Sequence, residues 1–378
     1  MHAHGLAAEG RLPTRLSIAI VDNAAKAFDA TPILPKAGDD MVRVSSWKVV
    51  ADGSNQGRSG YQQQPYLGTE ETGHANYPTD QLVDTIRTRA GAGWQVMVHA
   101  NGDAAIEQVV GAYEKALDGL DPADLRHRIE HCSIPTDDHL ARMARVGVSP
   151  SFLMNHVYFW GRAFRDRILG PARAGRLDPV ASARRHGLRP TFHSDYNVTD
   201  VDPLLSVQTA VTRTMRDGGE VLNPAECDTV EDAMRAITID AAWQTRSDDT
   251  IGSIEVGKYA DLVVLDADPR FYAVTKRIHH GLHGSVGDGG PLGDDAPDDC
   301  GAAVARVHVR GRGRREPGGA ARRLRAHAQR KVQCSECASH AQLMHGEHTH
   351  ALVTRLSERG GEAGVLRRQT GALCLKPR

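Results

Sequence analysis

The sequence predicts an α/β chain built on a parallel sheet, and three observations carry the prediction. Short apolar runs, each too brief for a helix of its own, alternate with stretches whose apolar residues fall at helical spacing. Several of the runs end on histidine, lysine or aspartate, as strands do when their C-terminal tips line a crevice. The runs begin near residues 15, 43, 94, 126, 148 and 189, which makes six, two short of the eight that close a (β/α)₈ barrel. The expected architecture is therefore a partial TIM-type barrel.

Residues 1–40 open with a polar, helix-like stretch, followed by 15–21 (RLSIAIV) as a strand, residues 24–28 and a Pro-containing loop. The run at 42–51 (VRVSSWKVVA) brings Lys48 near the C-terminal end of a second strand. The loop after it, Asp52-Gly53-Ser54-Asn55-Gln56-Gly57, is rich in turn formers, and long loops after strand ends are commonly functional. Thr79 is placed to cap a helix that runs through Leu82, Val83, Ile86 and Ala90 and stops at Gly91-Ala92-Gly93. Residues 95–98 are too apolar for a loop and read as a strand buried on both faces, with His99 at its tip. A turn through Asn101-Gly102-Asp103 starts a helix whose stripe is Ile106, Val109, Val110, Tyr113, Ala116 and Leu117.

The layout repeats. Residues 126–131 (RHRIEH) form a strand ending on Glu130-His131, and a helix follows from Thr136, an N-cap, to Val146. Residues 148–153 form the next strand, ending in Asn155-His156 and an aromatic loop of Tyr158, Phe159 and Trp160. A helix over 180–186 stops at Gly187, and 189–193 (RPTFH) is a strand whose tip carries His193-Ser194-Asp195. Helices over 203–215 and 229–243 follow, the second opened by Thr229 with Glu231 and Asp232 in its first turn. A turn at 255–258 leads to a last strand over 260–265.

Composition narrows the class. The chain has 378 residues, a formal net charge of -1 and six cysteines. Nothing in that balance points to nucleic acid or to a membrane surface. The scattered cysteines form no disulfide framework and suit a reducing compartment. No run of apolar residues is long enough to span a bilayer, and the first residues lack the apolar core of a signal peptide. A cytoplasmic protein is expected, with homo-oligomerisation left open.

At the strand tips, Lys48, His99, His131 and Asp195 are each placed to converge on one point. Imidazole nitrogen and carboxylate oxygen suit Zn²⁺ with an open coordination position. A lysine joins such a set when carbamylated, which turns a cation into a bidentate oxygen donor. Taken singly, each residue also reads as a buried histidine, a turn aspartate or a lysine snorkelling to solvent.

The segments VHANGDAAI, RIEHC, FLMNHVYFWG, FHSDYNVTDVDPL and TIGSIEVGKYADLVVLDADP, in this order, resemble the third family of the amidohydrolase superfamily, and WKVVADGS is similar to its fourth-strand lysine segment. The ordered series is more specific than any one motif and covers about residues 10 to 273. The resemblance implies a metal-dependent hydrolase of non-peptide C–N bonds in amide-type substrates, on a distorted (β/α)₈ barrel with a small β-sandwich. It makes His99 and His131 metal ligands from the fifth and sixth strands. Asp195, from the eighth, binds metal and takes the proton of the attacking water, Lys48 becomes a carbamylated bridging ligand, and the cofactor is one or two divalent ions, Zn²⁺ first. His156, Asp52 and Asn55, at strand ends, are expected to face the substrate.

Complete relatives start with a sandwich strand and a first barrel strand bearing a His-x-His pair, so the resemblance implies an N-terminal truncation. His2-Ala3-His4 is the local substitute for that pair and lies too near the next strand to be first-strand material. The expected domains are 1–245 as the partial barrel, 246–273 as a sandwich remnant, and 274–378 as a low-complexity, disordered tail. That tail is dense in Gly, Asp and Pro, then basic, with no helix or strand period. Its Cys334-Ser-Glu-Cys337 with His345, His348 and His350 could be a zinc knuckle, or an incidental cluster with no apolar core around it. Weak metal binding and impaired activity are expected, and a non-catalytic fragment is the alternative.

Overall fold

The computed structural model describes residues 2–12, 14–22, 33–120 and 125–263, the single positions 265, 268 and 269, and four short strands further on. The chain divides into two compact units, Met1–Gly252 and Ser253–Arg378.

The first unit opens with α1 (His2–Ala8) and is organised by six strands: β1 (Leu16–Val21), β2 (Val42–Val50), β3 (Gln95–Ala100), β4 (Arg128–His131), β5 (Ser149–Phe152) and β6 (Thr191–Phe192). They form one sheet in the order β1-β2-β3-β4-β5-β6, and every neighbouring pair is parallel. The fold is α/β, a six-stranded part of a TIM-type barrel.

Helices fill the crossovers. They are α2 (Thr79–Gly91), α3 (Asp103–Ala116), α4 (Asp137–Arg145), α5 (Asn155–Ala163), α6 (Pro171–Ala174), α7 (Val180–Arg185), α8 (Pro203–Thr212), α9 (Val230–Ala236) and α10 (Ile239–Gln244). At 14 residues, α3 is marginal as an isolated helix. Its buried stripe, Ile106, Val109, Val110 and Tyr113, joins the sheet's Val96, Val98 and Ile129 in one core. Each such side chain taken from water is worth about 1.5–3 kcal/mol, so packing rather than helix propensity holds the layer in place. The Tyr113 hydroxyl ties α3 to two strands at once, donating to the carbonyls of Val96 at 3.0 Å and Arg128 at 3.1 Å.

The strand registers separate two faces, because alternate residues share a face. Trp47, Val49, Val96, Val98, Ile129 and Phe152 point to the helices and are buried. The other face is polar. One cross-strand row is Lys48, Met97, Arg128 and Ser149, and the next is Val50, His99, Glu130, Ser151 and Thr191. The expectation that residues 95–98 are buried on both faces holds for the helix side, while Met97 and His99 on the polar face are half-buried.

The structure differs from the sequence reading at four places. Tyr158, Phe159 and Trp160 are not a loop but part of α5, where Tyr158 and Phe159 pack edge to face at 4.9 Å. The helix expected over 229–243 is two, α9 and α10, because Thr238 leaves helical geometry at φ -125° and ψ -98°. Thr79 is the first residue of α2 and not its cap, and extended Pro78 holds the capping position. The helix expected to reach 215 stops at Thr212, because Arg213 turns left-handed at φ 48°. By contrast, Thr136 caps α4 as expected: its hydroxyl accepts from the His139 N–H, and His139 Nδ1 accepts from the Thr136 N–H.

In the second unit, β7 (Ala260–Val263) pairs antiparallel with β8 (Arg306–Val309), and β9 (His350–Ala351), β10 (Arg367–Gln369) and β11 (Ala372–Cys374) form a small antiparallel sheet in the order β10-β11-β9. Residues 24–28 and the cluster of Cys334, Cys337, His345 and His348 lie outside the described residues, as do the side chains of His2, His4 and His350. Among the described residues, no helix is long and apolar enough to cross a membrane.

Candidate active site

The C-terminal ends of β3, β4 and β6 bring three imidazoles together. The rings of His99 and His131 lie 4.5 Å apart, and those of His131 and His193 5.0 Å apart. Strict alternation along β4 would send His131 to the helix side, opposite Glu130. Positive φ values of 65° at His131 and 46° at Cys132 break that alternation at the strand tip. Such angles are uncommon for non-glycine residues, and here they coincide with the ring that joins the cluster. Burial lowers the basicity of His131 well below that of an ordinary histidine, and His193 and His99 lower it further. His193 falls to about 4, again through burial, against the opposing pull of Glu130 and Asp195. Both rings are neutral at physiological pH and keep a lone pair. His131 Nδ1 and His193 Nε2 are enclosed and have no hydrogen-bond partner.

Beside the imidazoles, on the polar face, stand Lys48, Arg128 and Glu130. Burial pushes the Lys48 amine below its ordinary value, with Glu130 opposing. Burial pushes the Glu130 carboxyl up, but Arg128, Lys48 and His193 outweigh it and bring it down to about 2. Arg128 donates from Nε to Glu130 Oε1. Asp195 follows β6 in an exposed turn with φ 49°, and its charge reaches both Lys48 and His193.

The loop after β2 is tied to the tip of β3. Asp52 is fully buried and accepts from the N–H groups of Asn101 at 3.0 Å, Tyr61 at 2.9 Å and Gly102 at 2.8 Å. His99 Nε2 lies 3.3 Å from Asp52 Oδ1 and 3.0 Å from the Gly53 carbonyl. Asn55 is also fully buried; it donates to the Asn101 carbonyl and accepts from Gln62 and the Tyr66 hydroxyl. The polar atoms of Asp52 and Asn55 therefore meet protein partners in the loop and just beyond the tip of β3. His156 opens α5 as a buried ring 6.3 Å from His131, packed edge to face against Trp160 and Phe164. Its Nδ1 stands 3.8 Å from Oδ2 of fully buried Asp178.

The donor chemistry fits a divalent metal ion: neutral imidazoles with orphaned nitrogens, flanked by a carboxylate and a lysine. The gathering is partial, since among the described residues no three His, Cys, Asp or Glu side chains are disposed to hold one ion. His193 and Glu130 were given no role by the sequence reading. The signal for both was in the register: Glu130 is paired with His99 across β3 and β4, and His193 lies one alternation before Asp195.

The sequence model of the amidohydrolase family matches residues 3–289. The putative amidohydrolase YtcJ of Bacillus subtilis is 29% identical over 271 residues, covering 70% of this chain and 49% of that protein. The N-substituted formamide deformylase of Arthrobacter pascens is 33% identical over 196 residues, covering 52% of this chain and 36% of that protein. The chain thus spans half or less of the length of these relatives. An uncharacterized metal-dependent hydrolase from Pyrococcus furiosus superposes with a TM-score of 0.61 at 25% identity, over 71% of this chain and 53% of that one.

Proposed function

The chain belongs to the amidohydrolase family, and from that membership we propose that it is a metal-dependent hydrolase of non-peptide C–N bonds in small amide-type substrates, acting in the cytoplasm. The observation that carries the reading is the trio of imidazoles at the strand tips, with enclosed, unpartnered nitrogens on His131 and His193. His99, His131, Asp195 and, in carbamylated form, Lys48 would hold one or two divalent ions, zinc first among them. The chemistry such an ion supplies when bound is polarisation of the amide carbonyl and of a water molecule. Asp195, exposed at the mouth of the site, takes the proton of the attacking water on its carboxylate and passes it to the leaving nitrogen. His156 lines the substrate side, whereas Asp52 and Asn55 act by shaping the loop.

A second reading, a chain without turnover of its own, is favoured by the partial gathering of the donors. Metal analysis and assay separate the two. Purified protein is expected to hold zinc, and His131→Ala to lose it. Hydrolysis of simple N-acyl and N-formyl amines in added Zn²⁺ is expected to disappear in Asp195→Asn. Zinc retained in His131→Ala would move the metal site elsewhere, and zinc without turnover on any such amide would leave the second reading standing.

A further inference from the structure

We propose that Asp52 is a positioning residue that, together with the Gly53 carbonyl, holds His99 in the tautomer protonated on Nε2 and so presents Nδ1 as its metal-binding lone pair; the metal half of this rests on the function proposed above.

The argument starts at the loop. The Ala51 N–H donates to the His99 carbonyl at 3.0 Å, so Asp52 begins its loop directly beside the tip of β3. Its side chain is fully buried, and three backbone N–H groups need it as an acceptor, Tyr61 and Gly102 on Oδ2 and Asn101 on Oδ1. These contacts fix the carboxyl in place with Oδ1 3.3 Å from His99 Nε2. The Gly53 carbonyl, at 3.0 Å, is the second group at that nitrogen. A bare lone pair on Nε2 would face a carbonyl and a carboxylate, whereas an N–H there donates to the Gly53 carbonyl and is favoured by the carboxylate charge 3.3 Å away. In a neutral imidazole one nitrogen carries the proton and the other the lone pair, so Nδ1 is the open donor. No hydrogen bond to Nδ1 is made among the described residues.

Asn101 Nδ2, 3.1 Å from Nε2, is a donor that competes for this nitrogen with its second N–H, against the carbonyl and carboxylate on the other side. It donates to the same Gly53 carbonyl at 2.9 Å. Its orientation is set from the other end, where Ser133 Oγ donates to Asn101 Oδ1 at 2.6 Å. His99 Nε2 and Asn101 Nδ2 are thus side-by-side donors sharing one acceptor. The close approach of loop and helix that brings Asp52 here requires glycine at 102, where an added Cβ would stand 1.9 Å from the Tyr61 carbonyl oxygen. That same carbonyl accepts from the N–H groups of Ala104 and Ala105 in the first turn of α3. Carboxylate or carbonyl partners on the far nitrogen of a ligating histidine are what fix its tautomer and orientation.

The test reads the tautomer directly. In metal-free protein with ¹⁵N-labelled histidine, a long-range ¹H–¹⁵N correlation, assigned with His99→Gln, is expected to show His99 protonated on Nε2 and bare on Nδ1. Added Zn²⁺ should then shift Nδ1 and leave Nε2 protonated. Asp52→Asn, checked for folding by circular dichroism, is expected to mix the two tautomers and weaken zinc affinity about 10–100-fold in chelator competition. A His99 protonated on Nδ1 would overturn the proposal, as would a folded Asp52→Asn with unchanged zinc affinity. If Asp52→Asn fails to fold, the tautomer of the unsubstituted protein decides. An Nε2-protonated His99 in a protein that binds no zinc would sink the proposed function and leave the assignment of the tautomer standing.

Discussion

At the scale of single residues, the chain carries buried histidines that must stay neutral to stay folded. His127 is the clearest, because it stands on the helix side of β4, away from the site. It is fully buried, its Nδ1 accepts from the Val96 N–H at 2.9 Å, and its ring lies 5.7 Å from that of Tyr113. Burial lowers it from 6.5 to about 4. A folded-state value below the unfolded one means that the unfolded chain takes up the proton first as pH falls. The stability His127 contributes is whole above pH 6.5 and is lost as pH drops toward about 4, by about 3 kcal/mol. His127→Asn keeps an acceptor for Val96 and cannot titrate in this range. Urea melts at pH 7 and pH 4 are expected to lose about 3 kcal/mol less in that variant than in the parent; equal losses would mean that the ring is protonated in the fold. The strand tip and the RIEHC segment single out His131 in the sequence, but nothing local marks His127, four residues earlier, as a core residue. His127 immediately precedes β4 and His131 ends it, and the positive φ that sends His131 to the site leaves no mark in residue type.

At the scale of elements, the sheet is closed at its N-terminal edge by the end of α10. Gln244 is buried, and its Nε2 donates to the carbonyls of Pro150 at 2.8 Å and Arg189 at 3.1 Å. Its Oε1 accepts from the Thr191 hydroxyl at 2.7 Å, and its own carbonyl accepts from Gln95 Nε2 at 2.6 Å. One side chain therefore links β5, β6 and the segment leading into β6, while its main chain reaches β3. Next to it, Trp243 lies under the guanidinium groups of Arg126 at 5.1 Å and Arg189 at 4.5 Å. Gln244→Ala removes the amide's hydrogen bonds to two carbonyls and a buried hydroxyl, a cost of about 2–4 kcal/mol, and thermal melts should register it with the far-ultraviolet spectrum unchanged. A loss under about 0.5 kcal/mol, the size of a bland surface change, would mean that water replaces the amide. The strands, the crossover helices and the α4 cap were legible because apolar spacing and N-cap chemistry are local. The break at Thr238 was not, since the apolar period runs through it: Val230, Met234, Ile237 and Ala241 read as one stripe although the backbone turns.

At the scale of the whole molecule, the parallel α/β architecture was legible from six short runs and their spacing, and the site in part from the residues at their tips. His99 and His131 come together at the strand tips only because the backbone at His131 and Cys132 leaves strand alternation, and the contacts of Asp52 and Asn55 depend on partners from another strand's tip; no local pattern encodes either. The division of the chain at Gly252 gives the remaining prediction. Among the described residues, the apolar core, from Ile20 to Ala233, belongs to the first unit, and so do the residues of the candidate site. The polar seal made by Gln244 and Trp243 is also complete before that point. Stability of a domain comes from its own buried core, and boundaries fall where few contacts cross. A chain ended at Gly252 should therefore fold with the secondary-structure content of residues 1–252 in the full chain and melt within a few degrees of it, a shift that corresponds to less than about 1 kcal/mol for a domain of this size. Zinc bound per chain, measured on both, should be equal. A shortened chain that precipitates, or that melts more than about 10 °C lower, would show that residues 253–378 supply part of the core of the first unit and would overturn the division.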